Sequence, residues 1–255
     1  MMDAATKEIV VEAKNLVIGY DDYVVIDKIN FSVRQGEVFV ILGGSGCGKS
    51  TLLKHLIGLY KPLAGDIHIE GASIVHADEQ AKDELSRRFG VLYQSGALFS
   101  SLNLQENIEL TLREFTRLSK EMIAAVAKHK LSLVGLEGFE HFLPAEISGG
   151  MKKRAGLARA LALSPKILFF DEPSAGLDPI SSAELDVLIL ELRKHLGCTI
   201  IMVTHELDSI FAVADRVIVL DKNTKGIVAE GDPRQLRDHS PNEWVRRFLN
   251  RANMK

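Results

Sequence analysis

The run Gly43-Gly44-Ser45-Gly46-Cys47-Gly48-Lys49-Ser50-Thr51 constrains this chain more than any other segment. From Gly43 to Ser50 it fits the pattern G-x-x-x-x-G-K-[ST], and its flanks agree with it. Val38-Phe39-Val40-Ile41-Leu42 is a short apolar run of strand character. Lys49 to Leu56 places Leu52, Leu53 and Leu56 on one face of a helix. Strand, glycine loop and helix in that order form a phosphate cradle. The glycines let backbone N–H groups converge on phosphate oxygens, and the helix N-terminus adds positive partial charge. Lys49 is expected to reach the β- and γ-phosphates, and the Ser50 hydroxyl to ligate Mg²⁺. Ser45, Cys47 and Thr51 belong to the same phosphate-binding set.

Three further strand ends carry polar residues. Ile167-Leu168-Phe169-Phe170 is too short and apolar for a typical helix and ends in Asp171 and Glu172. In open parallel sheets, ligands sit beyond the carboxyl ends of the strands. Asp171 is expected there to hold Mg²⁺ through water, and Glu172 to polarise or orient an attacking water. Thr199-Ile200-Ile201-Met202-Val203 is a third buried-strand candidate, with His205 one residue beyond, placed to reach a γ-phosphate. Gln94 ends the run Gly90-Val91-Leu92-Tyr93 and offers an amide oxygen to Mg²⁺ or to the lytic water.

These residues resemble the ATP-binding cassette (ABC) ATPases, along nearly the whole chain. The resemblance implies an α/β fold: a P-loop NTPase cassette with a RecA-like parallel-sheet core, an antiparallel β lobe and a helical subdomain. It implies ATP and Mg²⁺ as cofactors, and hydrolysis to ADP and phosphate by a homodimer. Tyr20 takes the place of the aromatic that stacks on adenine, with Tyr23 the weaker candidate. Ser148-Gly149-Gly150 matches the signature that closes on ATP held by the other subunit. It would open the helix Met151–Leu161, presenting N–H donors, a hydroxyl and a dipole to a γ-phosphate. Ala175-Gly176-Leu177-Asp178 matches the D-loop, which places Asp178 at the nucleotide interface. Two departures are visible: Ile147 stands for the usual Leu and Met151 for the usual Gln.

Met151 narrows the resemblance. SGGM with Tyr93-Gln94-Ser95-Gly96-Ala97-Leu98-Phe99, Leu112–Phe115 and Leu143–Ile147 is similar to the Mla-type, Mce-associated phospholipid-transport branch. That branch implies a permease dimer, an Mce-domain lipid-binding subunit and a STAS-like regulatory subunit. It implies phospholipid transport between inner and outer membranes, driven from the cytoplasmic face of the inner membrane. The alternative is an ABC ATPase energising a polar-solute importer or exporter. Leu98 and Phe99 either receive a coupling helix from the permease or fill the core under the helical subdomain.

Bulk properties set limits. In 255 residues, 31 basic against 34 acidic side chains give a net charge of −3, which recruits no nucleic acid. Soluble ABC ATPases acting on DNA or ribosomes usually carry two cassettes or coiled-coil insertions, and neither is seen. Lys152-Lys153-Arg154 is expected to flank the ATP interface, and Arg246-Arg247 with Arg251 to form a solvated helix face. No apolar stretch approaches the ~18 residues of a membrane span, and Met1 to Val10 lacks a secretory apolar region. Cys47 and Cys198 make no disulfide framework. Cys47, inside the loop, is expected to take a thiol-alkylating reagent that blocks ATP.

The chain divides as a β lobe and first part of the core over 1–94, a helical subdomain over 95–165, the rest of the core over 166–225, and a hairpin strand with helices over 226–255. Ala64-Gly65-Asp66 reads as a turn before the strand Ile67–Ile69, and Glu121 to Val134 as a helix. Gly231-Asp232-Pro233 opens a helix with Asp232 as cap and Pro at the first position. Ser240-Pro241-Asn242-Glu243 opens another by the same logic. Its stripe Trp244, Val245, Phe248 and Leu249 packs on the chain's own body or contacts another subunit.

Overall fold

A computed structural model describes residues 8–21 and 23–250. β1 (Ile9–Tyr20) and β2 (Tyr23–Arg34) pair antiparallel, with Tyr20 opposite Tyr23. β3 (Val38–Gly43) leads through the glycine loop into α1 (Lys49–Leu56). β4 (Ala64–Ile69) and β5 (Ala72–Ser73) complete a four-stranded sheet in the order β2-β1-β4-β5. The expected turn at 64–66 is therefore strand. Ala64 pairs with Val17 across a register shift, and Gly65 takes up the irregularity at φ +84°.

α2 (Glu79–Ser86) precedes β6 (Phe89–Leu92). α3 (Leu104–Phe115), α4 (Lys120–Leu133) and α5 (Gly149–Ala160) then follow. The chain returns to strand–helix alternation through β7 (Ile167–Asp171), α6 (Pro179–Leu196), β8 (Thr199–Val203), α7 (Leu207–Val213) and β9 (Arg216–Asp221). β10 (Gly226–Gly231), α8 (Pro233–His239) and α9 (Glu243–Leu249) end it. Asp232 caps α8 as expected, accepting from the N–H of Arg234 at 2.7 Å. α9 starts later than expected: Asn242, not Ser240, is its cap, accepting from Trp244 N at 3.0 Å, and Pro241 lies outside the helix.

The second sheet has the order β10-β9-β3-β8-β7-β6. Its strands are parallel except for the edge strand β10. Both faces are covered, which is why its strands are apolar throughout rather than alternating. Val38, Val40, Leu168, Phe170, Ile200, Met202, Val217 and Val219 point to the side of α3–α6. Phe39, Ile41, Ile167, Phe169, Ile201, Val203, Ile218 and Leu220 point to α1 and the four-stranded sheet. This period of two makes the sheet a wall between two cores. Ile41, Val203 and Asp171 lie in one row, so the strands end level with one another. The residues just past each strand are thereby delivered to one edge.

Candidate active site

Gly48 caps α1 at φ +97°, a conformation that favours glycine, and a Cβ there would come within 2.6 Å of Val25 Cγ1. The loop turns at this point so that Lys49 curls back over it. Lys49 Nζ donates to the carbonyls of Gly43 at 3.1 Å and Gly44 at 3.2 Å. One residue on, the Ser50 hydroxyl donates to Asp171 Oδ1 at 2.9 Å, tying the loop to the end of β7. Burial raises the Asp171 carboxyl above its ordinary pKa, and the Ser50 hydrogen bond opposes that rise. A hydroxyl and a carboxylate at this spacing are oxygen donors suited to Mg²⁺, which takes few protein ligands and keeps water and phosphate oxygens.

Glu172 follows Asp171 in the left-handed region at φ +49°, an uncommon conformation for a side chain of its size. Its N–H donates to Val203 O at 2.8 Å, which pins it to β8. Its carboxylate meets His205: Nδ1 lies 2.9 Å from each oxygen. The structure thus brings together residues separated by 33 positions in sequence. A cleft of about 380 Å³ is lined by Gly43, Gly44, Ser45, Gly46, Lys49, Glu172 and His205, with Leu207 and Phe248. That is the size range of small-molecule sites.

Tyr20 is half-exposed, its hydroxyl 3.2 Å from Thr51 Oγ1, and its ring is edge-on to Tyr60 with centroids 5.9 Å apart. Tyr23 is more exposed and lies under Lys225 instead. Gln94 stands exposed just beyond β6. Ser148 caps α5, its hydroxyl accepting from Met151 N at 3.2 Å, and Gly149 and Gly150 form the first helical turn. Asp178 caps α6, accepting from Ile180 N and Ser181 N at 3.0 Å each. Within one chain, Ser148, Gly149, Gly150 and Asp178 do not line the cleft.

Several expectations need correction. Cys47 is 3% exposed, and burial raises its thiol pKa. Both oppose the alkylation expected of it. Lys153, in the basic cluster expected beside the ATP interface, is itself buried. Leu98 packs on the core, whereas Phe99 is exposed. Phe99 is held by buried Asn107, which accepts from its N–H at 2.7 Å and donates to its carbonyl at 3.2 Å. Phe248 and Trp244 were not foreseen beside the loop. They stack with centroids 5.2 Å apart and line a second hollow behind Gly44, Ser45 and Cys47. Their helical spacing signalled a packed face, but not which surface it covers.

The profile of the family described as ABC transporter matches residues 26–175. The probable ribonucleotide transport ATP-binding protein mkl of Mycobacterium leprae is 42% identical over 95% of this chain and 69% of its own length. The corresponding Mycobacterium bovis protein is matched over 66% of its length, so the chain spans about two thirds of these relatives. The intermembrane phospholipid transport system ATP-binding protein MlaF of Haemophilus influenzae is 38% identical over 89% of this chain and 85% of its own. The methionine import ATP-binding protein MetN of Brucella abortus is 41% identical over 90% and 61%. Among solved structures, the dimeric post-hydrolysis state of the ATP-binding cassette MJ0796 bound to ADP and Pi superposes with a TM-score of 0.79. It is 29% identical over 87% of this chain and 98% of that one. The cbiO1 protein of Clostridium perfringens, part of the ABC transporter complex cbiONQ, gives 0.83 at 29% identity over 97% of both chains. With the phosphate loop, the acidic strand end and its histidine at one sheet edge, the chain belongs to the ABC transporter family and is the ATPase subunit of such a transporter.

Proposed function

We propose that two copies of this chain close around two Mg·ATP molecules and thereby drive phospholipid transport between the inner and outer membranes. The contact of His205 with Glu172 carries the catalytic part of this reading. Glu172 takes or orients the proton of the attacking water, and His205 holds the carboxylate and faces the γ-phosphate. Lys49 leaves the loop carbonyls for the β- and γ-phosphates. Ser50 and Asp171 hold Mg²⁺, with Gln94 completing its surroundings or the water's. Bound there, Mg²⁺ would neutralise charge on the phosphate oxygens. Tyr20 stacks on adenine. Ser148, Gly149, Gly150 and Asp178 lie away from the cleft of their own chain and serve the ATP of the partner copy.

The phospholipid assignment rests on the segment SGGM and on the likeness to MlaF over most of both chains. It brings with it a permease dimer, an Mce-domain subunit, a STAS-like subunit and a place on the cytoplasmic face of the inner membrane. Among the described residues no helix is long and apolar enough to cross a membrane, in keeping with a permease supplied by other chains. Phe99, exposed and fixed by Asn107, fits an anchor for a permease helix. The likenesses to mkl and MetN favour a second reading, a transporter of polar solutes. Affinity purification from membranes in mild detergent, with mass spectrometry of proteins and lipids, separates the two. A permease with an Mce-type subunit and phospholipid supports the first, and a permease with a soluble-solute receptor supports the second.

A further inference from the structure

One face of α5 holds the backbone of residues 94–97 through Lys153, Gly156 and Arg159, spaced by three. Lys153 Nζ donates to the carbonyl of Gln94. At Gly156 the helix lies so close to Gly96 that a Cβ would stand 2.9 Å from its carbonyl oxygen. Arg159 donates to the carbonyls of Ala97 and of Gly96, the latter at 3.2 Å. The Gln94 loop and the helix opened by Ser148 therefore form one unit.

Lys153 alone among these three reaches beyond the unit. Its Nζ also donates to the backbone carbonyl of Glu172 at 3.2 Å. Lys153 is 6% exposed, and a buried ammonium is costly unless it is hydrogen-bonded. Both of these acceptors are main-chain carbonyls, so the link acts on backbone position. Glu172 is then held on both sides: its N–H by Val203 of β8, its carbonyl by Lys153 of α5 together with the N–H of Ala175 at 3.2 Å. Between these anchors it keeps φ at +49°, a conformation that persists only where its surroundings enforce it.

We propose that Lys153 is a positioning residue that transmits the placement of α5 and the Gln94 backbone to Glu172, keeping its carboxylate on His205. This rests on the reading of Glu172 as the residue acting on water. With Lys153 replaced by an apolar chain, the Gln94 carbonyl loses this donor and the Glu172 carbonyl keeps only the N–H of Ala175 at 3.2 Å, so the hold on Glu172 in the left-handed region is weakened. Nucleotide contacts stay, so the effect falls on turnover and not on ATP binding.

Steady-state ATP hydrolysis by the full chain tests this with Lys153→Met, Lys153→Gln and Glu172→Gln. Lys153→Met is expected to lower kcat roughly tenfold or more, with KM for ATP within about twofold. Lys153→Gln offers two N–H donors and recovers most of that loss. In the Glu172→Gln background, Lys153→Met adds no further loss in single-turnover hydrolysis, because the carboxylate it positions is gone. Wild-type kcat in Lys153→Met overturns the proposal, as does an equal change in KM and kcat. Where Lys153→Met does not fold, Lys153→Gln carries the test: kcat within about threefold of wild type supports the bridge, and a larger loss overturns it. Wild-type hydrolysis by Glu172→Gln overturns the role of Glu172 itself, and the proposal with it. Inactive Glu172→Gln beside fully active Lys153→Met removes the proposal alone.

Discussion

His205 Nδ1 stands 2.9 Å from both carboxylate oxygens of Glu172, and the two side chains differ sharply in exposure. The Glu172 side chain is 10% exposed and that of His205 61%. The acid is fixed by the fold, whereas the imidazole reaches it from the rim of the cleft. His205 is thus the member able to leave when the cleft changes, and Glu172 the member that stays.

His205→Ala should therefore keep ATP binding and lose turnover, by about 100-fold, because Glu172, which acts on the water, loses the group that holds its carboxylate. Phosphate release, measured beside binding of a fluorescent nucleotide, checks it. Equal losses in both would place His205 in binding rather than in chemistry.

Lys49→Ala should act on affinity. Lys49 is the buried cation of the loop, and among the described residues its partners are the Gly43 and Gly44 carbonyls. Losing its charged hydrogen bonds to phosphate should raise Kd for ATP at least tenfold, from about 1.5–3 kcal/mol per bond. Equilibrium titration reads this directly.

Cys47 should resist modification. At 3% exposure and with its thiolate disfavoured by burial, it should react with maleimide at neutral pH far more slowly than after unfolding in denaturant, because the thiolate is the reactive form. Intact-mass spectrometry follows this with and without ATP. Rapid labelling of the folded chain at Cys47 would contradict its placement.

Much of the site could be read from the chain because its parts are local. The loop, its strand and its helix are contiguous, and the apolar runs at 167–170 and 199–203 announce strands buried on both faces. The cap at Asp232 is likewise a matter of neighbouring residues. The parts that were not legible depend on distant partners. Lys153 sits in the run Lys152-Lys153-Arg154, whose charge gave no sign that the carbonyls of Gln94 and Glu172, just past β6 and β7, take up its ammonium in a buried position. α2 was not evident because Leu85 is its single buried apolar residue. Cys47 gave no sign of its burial, which comes from packing in the core shared with β1, β2 and α1.

Asp186 gives the fold a pH dependence. It lies on α6, buried, with Glu206 and Asp208 near it; burial first, then these acids, push its carboxyl up from 3.8 to about 6. The folded chain thus binds this proton more tightly than the unfolded chain. Its contribution is fully present below about pH 4 and is lost as pH rises through about 6. Asp186→Asn should stabilise the protein at pH 8 by about 3 kcal/mol and leave it little changed at about pH 4. Urea melts at both values test the difference.

Arg216 joins the two sheets. Its guanidinium donates to Glu37 Oε1 at 2.6 Å, to the carbonyl of Ser32 in β2 and to Glu230, and it lies 4.7 Å from the Phe39 ring centroid. Arg216→Ala leaves the buried Glu37 carboxylate unpaired and should cost about 3–5 kcal/mol. Thermal and denaturant unfolding measure that cost. Arg216→Met should cost less if Glu37→Gln is introduced with it, since no buried charge then remains.

The most direct test of the whole account is Glu172→Gln, examined with Mg²⁺ and ATP by analytical ultracentrifugation beside phosphate release. The account predicts a dimer that retains ATP and turns over at least about 100-fold more slowly than wild type. A chain that stays monomeric with ATP, or hydrolyses it at the wild-type rate, would contradict the paired-site mechanism at its centre.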